Sequence, residues 1–106
     1  MNVDFEKLEE NVKAASRLLK ALSNEKRLMI ICSLYEQELC VGDIEKLVNL
    51  SQSALSQHLA RLRRDGFVKT RRDAQTIYYS LNDPATRSVL ECLYNYYCKD
   101  CLSKGC

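Results

Sequence analysis

A chain of 106 residues has room for one modest core, so a single domain spanning 1–106 is expected. Its 46% hydrophobic content is too high for a disordered tail, yet no apolar run reaches the roughly 20 residues of a membrane span. The net charge of +2 hides an uneven distribution: Arg61, Arg63, Arg64, Lys69, Arg71 and Arg72 stand against only Asp65, while Asp4 to Lys13 carries four acids and two lysines, a pattern that fits a local polyanion footprint or a solvated helix face.

The opening MNVDFEKLEENVK is polar and acidic, unlike a signal or transit peptide, so the cytoplasm is the expected compartment. Phe5, Leu8, Val12, Ala15, Leu19 and Leu22 recur at three- and four-residue steps and predict a first amphipathic helix. Ser23 or Asn24 can cap a second, in which Leu28, Ile31, Cys32 and Tyr35 share a face. A short third helix is expected to turn Val41, Ile44, Leu47 and Val48 inward.

Ser51 is a good cap for a fourth helix that runs to Asp65 and stops at Gly66. Leu55, Leu59 and Leu62 lie on one side of it, and Ser53, Gln57, Arg61 and Arg64 on another. After Gly66 the period changes to alternation. Phe67–Arg72 and Thr76–Leu81 are rich in β-branched and aromatic residues, and Asp73-Ala74-Gln75 between them suits a hairpin turn. Asn82-Asp83-Pro84 then opens a last helix, running to about Cys98, with Leu90, Leu93, Tyr94 and Tyr97 on a shared stripe.

The predicted class is therefore mainly α with a small β-hairpin wing, in the order of a winged helix-turn-helix. The recognition helix would occupy 51–66 and the wing 67–81. Residues 99–106 are expected to form a flexible, cysteine-containing tail.

A recognition helix needs an apolar side that seats it and a polar side that reaches base edges and phosphates. Gln52, Ser53, Ser56, Gln57 and His58 supply polar tips for a major groove, and Arg61 and Arg64 reach phosphate or guanine. Arg71, Arg72, Gln75 and Thr76 of the wing would follow the backbone or enter an adjacent minor groove. The expected partner is double-stranded operator DNA. His58 is the only histidine and has no nucleophile to serve, so an enzyme is hard to build from this chain.

Six cysteines would suggest a disulfide framework in a secreted chain. In the cytoplasm they would stay reduced and raise the question of metal binding or redox sensing. Cys98-Lys-Asp-Cys101 with Cys106 offers three thiolates that suit zinc, copper(I) or arsenite. Cys92 is expected in the core or a dimer interface, and Tyr94, Tyr96 and Tyr97 in a dimer core and not a ligand box. Cys40, at a helix start, is placed to feel the helix dipole.

The runs ALSNEKRLMIICSL, ELCVGDIEKLVNLSQSALSQHLARLRRDGFVKTRRDAQTIYYSL and YNYYC resemble the ArsR/SmtB family of bacterial repressors. The resemblance implies a homodimer held by the first and last helices, and operator binding relieved by a chemical signal. The metal-sensing pattern Cys-Val-Cys-Asp stands here as Cys40-Val41-Gly42-Asp43, one thiolate short, and the last helix has no histidine. The chain is more similar to the family's dithiol branch, which senses sulfide, persulfide and oxidants. Cys32 and Cys98 occupy that branch's two cysteine positions, which implies a disulfide or polysulfide bridge between them on exposure to the inducer. No cofactor is then implied; the alternative is a zinc- or arsenite-responsive repressor using Cys98, Cys101 and Cys106. A second redox alternative has Cys101 or Cys106 resolve Cys98 in place of Cys32.

Overall fold

Polar caps set where the helices begin. Asp4 accepts from the amides of Glu6 and Lys7 and opens α1 (Phe5–Leu22); Asn24 accepts from those of Lys26 and Arg27 and opens α2 (Glu25–Ser33). Ser51 Oγ takes the Ala54 amide at 3.1 Å at the head of α4 (Gln52–Arg64), and Asp83 takes that of Ala85 ahead of α5 (Pro84–Tyr97). The shorter α3 (Val41–Leu47) starts at Cys40, whose side chain makes no capping bond to the backbone. This computed structural model describes residues 3–98.

Strands β2 (Val68–Asp73) and β3 (Thr76–Leu81) form the expected hairpin. Asp73 pairs with Thr76, so the turn itself is only Ala74-Gln75. Ala74 sits at φ 57°, the left-handed conformation that tight hairpin turns demand and that a side chain makes costly. A third strand, β1 (Leu39–Cys40), adds to the outer side of β3 through the pairs Leu39–Tyr79 and Cys40–Tyr78. The wing is thus a three-stranded antiparallel sheet in the order β1-β3-β2 and not a bare hairpin. Its third strand ties the wing to the residues that lead directly into α3.

The core lies where α2, α3, α4 and α5 meet the base of this sheet. Ile30, Ile31, Ile44, Leu55, Leu59, Leu62, Val68 and Leu90 are all buried. Both Ile30 and Ile31 are enclosed, so α2 buries a wider face than the stripe through Leu28 and Tyr35 suggests. Leu47 departs from expectation: it is 51% exposed. The helix ends there, and Val48 adopts extended angles (φ −116°, ψ 128°) that send its own side chain into the core instead. Tyr97 also departs from its stripe, because α5 outruns the core after Tyr94 and leaves Tyr96 and Tyr97 in solvent on the single chain.

Candidate nucleic-acid interface and thiol seam

Helix α4 is divided cleanly. Leu55, Leu59 and Leu62 are at most 1% exposed and lock it onto the core, while Gln52, Ser53, Ser56, Gln57, Arg61 and Arg64 all stand in solvent. His58 is half-buried at the margin between the two sides. Gly66 follows at φ 86°, where a Cβ would strain the backbone, and Phe67 turns back into the core. A helix seated this firmly presents its polar face as a rigid surface, which is what base-edge contacts require.

The wing divides differently. Arg71, Arg72 and Gln75 are exposed as expected, but Arg71 is engaged. Its Nε and Nη2 both donate to the Glu38 carboxylate, the shorter contact being 2.7 Å, and its guanidinium lies 4.7 Å from the centre of the Tyr78 ring. The guanidinium beside Glu38 holds that carboxyl below its usual range. Arg72 Nε donates to the Ala74 carbonyl at 3.2 Å and so braces the turn. Of the two wing arginines, Arg72 therefore has the freer charge.

Sequence order concealed a second group of cations. Arg17 and Lys20 of α1 and Arg27 of α2 come up against Arg61 of α4 around an open cleft of about 280 Å³. The chain separation of these residues hides them from any count of local charge density.

Cys32 on α2 is a free, half-buried thiol, and burial pushes its pKa up while a hydrogen bond with the Tyr94 hydroxyl pulls it down. The Tyr94 hydroxyl also donates to the Cys32 carbonyl oxygen at 3.1 Å. Tyr94, expected in a dimer core, forms a bridge within the single chain that joins α5 to α2. Its ring meets Tyr35 edge-on at 5.0 Å, the Tyr35 hydroxyl donates to Glu91, and Arg87 pairs with both Glu91 and Glu36. Cys98 lies one turn beyond Tyr94, with its amide donating to the Tyr94 carbonyl at 3.0 Å.

Cys98 is disulfide-bonded, whereas Cys32, Cys40 and Cys92 are free thiols. The expectation of reduced thiols thus meets an exception at Cys98, and Cys32 is not its partner in this state. Cys92 is exposed on the single chain. Cys40 Sγ donates to Asp43 Oδ2 at 3.3 Å. The zinc or arsenite set of Cys98, Cys101 and Cys106 falls largely outside the described residues, as does the expected flexible tail. Among the described residues, no three histidine, cysteine or acidic side chains gather to hold a metal, and no helix is long and apolar enough to cross a membrane.

The profile of a family described as bacterial regulatory protein, arsR family, matches residues 24–70, from the α2 cap into β2. The chain is 47% identical over 97 residues to the transcriptional activator HlyU of Vibrio cholerae, which covers 92% of this chain and 90% of HlyU. Its fold is similar to that of reduced HlyU from V. cholerae N16961, with a TM-score of 0.82, 49% identity, and coverage of 88% and 98% of the two chains. It is also similar to the transcriptional repressor BigR from Xylella fastidiosa, with a TM-score of 0.81, 36% identity, and coverage of 91% and 98%.

Proposed function

The chain belongs to the bacterial arsR family of DNA-binding transcriptional regulators, and from that premise we propose that reactive sulfur species or oxidants switch its operator binding through Cys32 and Cys98. The observation that carries the proposal is the α2–α5 contact: Tyr94 holds Cys32 by its carbonyl while its own carbonyl holds the Cys98 amide. A sulfur–sulfur bridge across this contact would pull directly on the two helices.

Two routes lead to the bridge. From reduced thiols, an oxidant removes two electrons and two protons as the S–S bond forms, or a sulfane-sulfur donor turns each cysteine into a persulfide and the two persulfides condense to a trisulfide link with loss of hydrogen sulfide. From the state described here, the Cys32 thiolate attacks Cys98 Sγ and the sulfur now bonded to Cys98 leaves as a thiolate, with no external oxidant. Burial raises the Cys32 pKa and so slows attack by its sulfur on either route, because the thiolate is the nucleophile in both.

The output is a homodimer on two half-sites about 34 Å apart. Its support is the apolar stripe that α1 leaves uncovered on a single chain, with Phe5 76% and Leu19 59% exposed, together with Tyr96 at 82% on α5. Bridging α2 to α5 would reset how the dimer spaces its two α4 helices. A coupling of a few kcal/mol is enough to change operator occupancy strongly.

The test is peptide mass spectrometry on the sulfide-donor-treated protein, combined with operator titration. A Cys32–Cys98 cross-linked peptide pair, and loss of the response in Cys32→Ser and in Cys98→Ser, is the expected result. Normal release of DNA by Cys32→Ser under sulfane sulfur would sink the dithiol proposal.

A further inference from the structure

We propose that the junction of α2 with α4 is a seat for one DNA backbone phosphate, with Arg27 as its inner cation and Arg61 as its outer one. The seat rests on the DNA-binding reading above and extends it to a helix outside the recognition helix and wing.

The first observation is a cleft of about 330 Å³ bounded by Asn24 and Arg27 on α2 and by Gln57, His58 and Arg61 on α4. It shares Gln57 and Arg61 with the exposed face of the recognition helix. A duplex laid against that face would therefore bring its sugar-phosphate edge to the mouth of the cleft.

The second observation is an unsatisfied donor. Arg27 Nη2 donates to the Lys20 carbonyl at 3.3 Å, but Nε is buried and has no partner, the only such side-chain nitrogen or oxygen among the described residues. Buried donors almost always find an acceptor, so an orphan of this kind points to a missing anion or polar group. The third observation is charge. Arg17, Lys20, Arg27 and Arg61 line the adjoining cleft with Asp65 as its one acidic residue, and none of the four cations has an ion-pair partner among the described residues. Arg17 reaches Asp65, but through its carbonyl oxygen at 3.3 Å and not its carboxylate. Elsewhere the same chain pairs its arginines readily, Arg71 with Glu38 and Arg87 with Glu36. Unneutralised cations packed together repel one another, and an entering phosphate relieves that repulsion.

The fourth is local dipole. The cleft opens at the first turn of α2, a nine-residue helix whose N-terminal end adds partial positive charge to that of the arginines. Asn24 already caps the Lys26 and Arg27 amides, so the helix end contributes its field and not free donors. Lys26 Nζ meanwhile holds the Asn49 carbonyl at 3.2 Å, fixing this end of α2 to the turn that leads into α4. The seat and the reading face thus move as one piece.

The experiment titrates the protein, over a salt series, against a duplex it has selected from a random pool and against a scrambled duplex of the same composition. Arg27→Gln should weaken both duplexes by the same factor. It should flatten the slope of log K against log salt by about 0.9 per protomer, the signature of one lost phosphate contact. Because Arg27 also braces Lys20, Asn24→Asp provides a variant that keeps its fold: aspartate caps a helix as well as asparagine does, while its carboxylate sits in the cleft. It should weaken both duplexes equally, with the unfolding curve of the wild type retained. Gln57→Ala serves as the control that should blunt discrimination and leave the slope alone. Unchanged slopes in Arg27→Gln and Asn24→Asp, with the Gln57→Ala effect intact, would remove the seat and leave the recognition helix standing. Absence of any sequence preference in the wild type would bring down both.

Discussion

On α4, Arg61, Arg63 and Arg64 have no ion-pair partner among the described residues, whereas on α5 Arg87 is held by both Glu36 and Glu91. The same contrast runs through their surroundings. The outer face of α4 is polar and open, and everything that fixes it lies underneath, in Leu55, Leu59 and Leu62. The α2–α5 seam is closed on itself through Tyr94, Tyr35, Glu91 and Arg87, with a half-buried thiol in the middle. A surface left with unmet charge is ready to accept an external anion. A seam whose groups already meet one another responds to chemistry on one of its members by changing how the helices hold together.

Breaking the support under α4 should have the largest effect. Leu59 is 1% exposed, and truncating a buried leucine removes its transfer energy and leaves a cavity. Leu59→Ala should therefore lower unfolding stability by about 2–5 kcal/mol in a urea melt. Arg64→Ala, on the open side, should stay within about 0.5 kcal/mol of the wild type. Comparable losses from the two substitutions would refute the division of α4 into an anchored and an open side.

The seam gives a smaller effect with a distinct signature. Tyr94→Phe removes the donor that reaches the Cys32 carbonyl and pulls the thiol pKa down. The loss in stability should be about 0.5–1.5 kcal/mol, as for one internal hydrogen bond. The sign in pH is fixed by the direction of the shift. Burial already raises the Cys32 thiol above its ordinary 9.0, so the folded chain holds this proton more tightly than the unfolded one. The stability tied to it is intact below pH 9 and declines as pH climbs through the folded-state value. In Tyr94→Phe that value should rise further, and alkylation of Cys32 should slow at pH 8 and move its midpoint upward. An alkylation profile that does not move would show that the hydroxyl tethers the carbonyl alone.

Much of the α4 side was legible in the residue order because its determinants are local. Ser51, the leucine spacing and Gly66 each act within one helix, and the change of period after Gly66 announces β2 and β3. Strand β1 was missed because two residues carry no period, and Leu39 and Cys40 become a strand only by lying against Tyr79 and Tyr78. Leu47 was misplaced because a seven-residue helix ends before its periodicity can decide which way the last side chain faces. Arg27 escaped notice for a different reason: its significance lies in meeting Arg61, 34 positions away. The role of Tyr94 was likewise invisible, since its spacing fits an apolar stripe and its hydroxyl partner sits 62 positions earlier.

The wing tests whether pairing really separates the two regions, and there the expected change is smallest. Glu38 lies just before β1 and ties down Arg71, so one cation of the wing behaves like those of the seam although it sits beside the open face. Glu38→Gln should release Arg71 from its ion pair and tighten duplex binding modestly at low salt, equally for selected and scrambled DNA. The pair is exposed, with side-chain exposures of 53% and 41%, so its hold is already weakened by solvent and the gain should fade as salt rises past the Debye regime. Arg72→Ala, which removes the freer charge, should act in the opposite direction and over the same salt range. If Glu38→Gln instead weakened binding, the ion pair would be presenting Arg71 to DNA through its fixed geometry, and pairing would mark preorganisation on the wing while it marks closure in the seam.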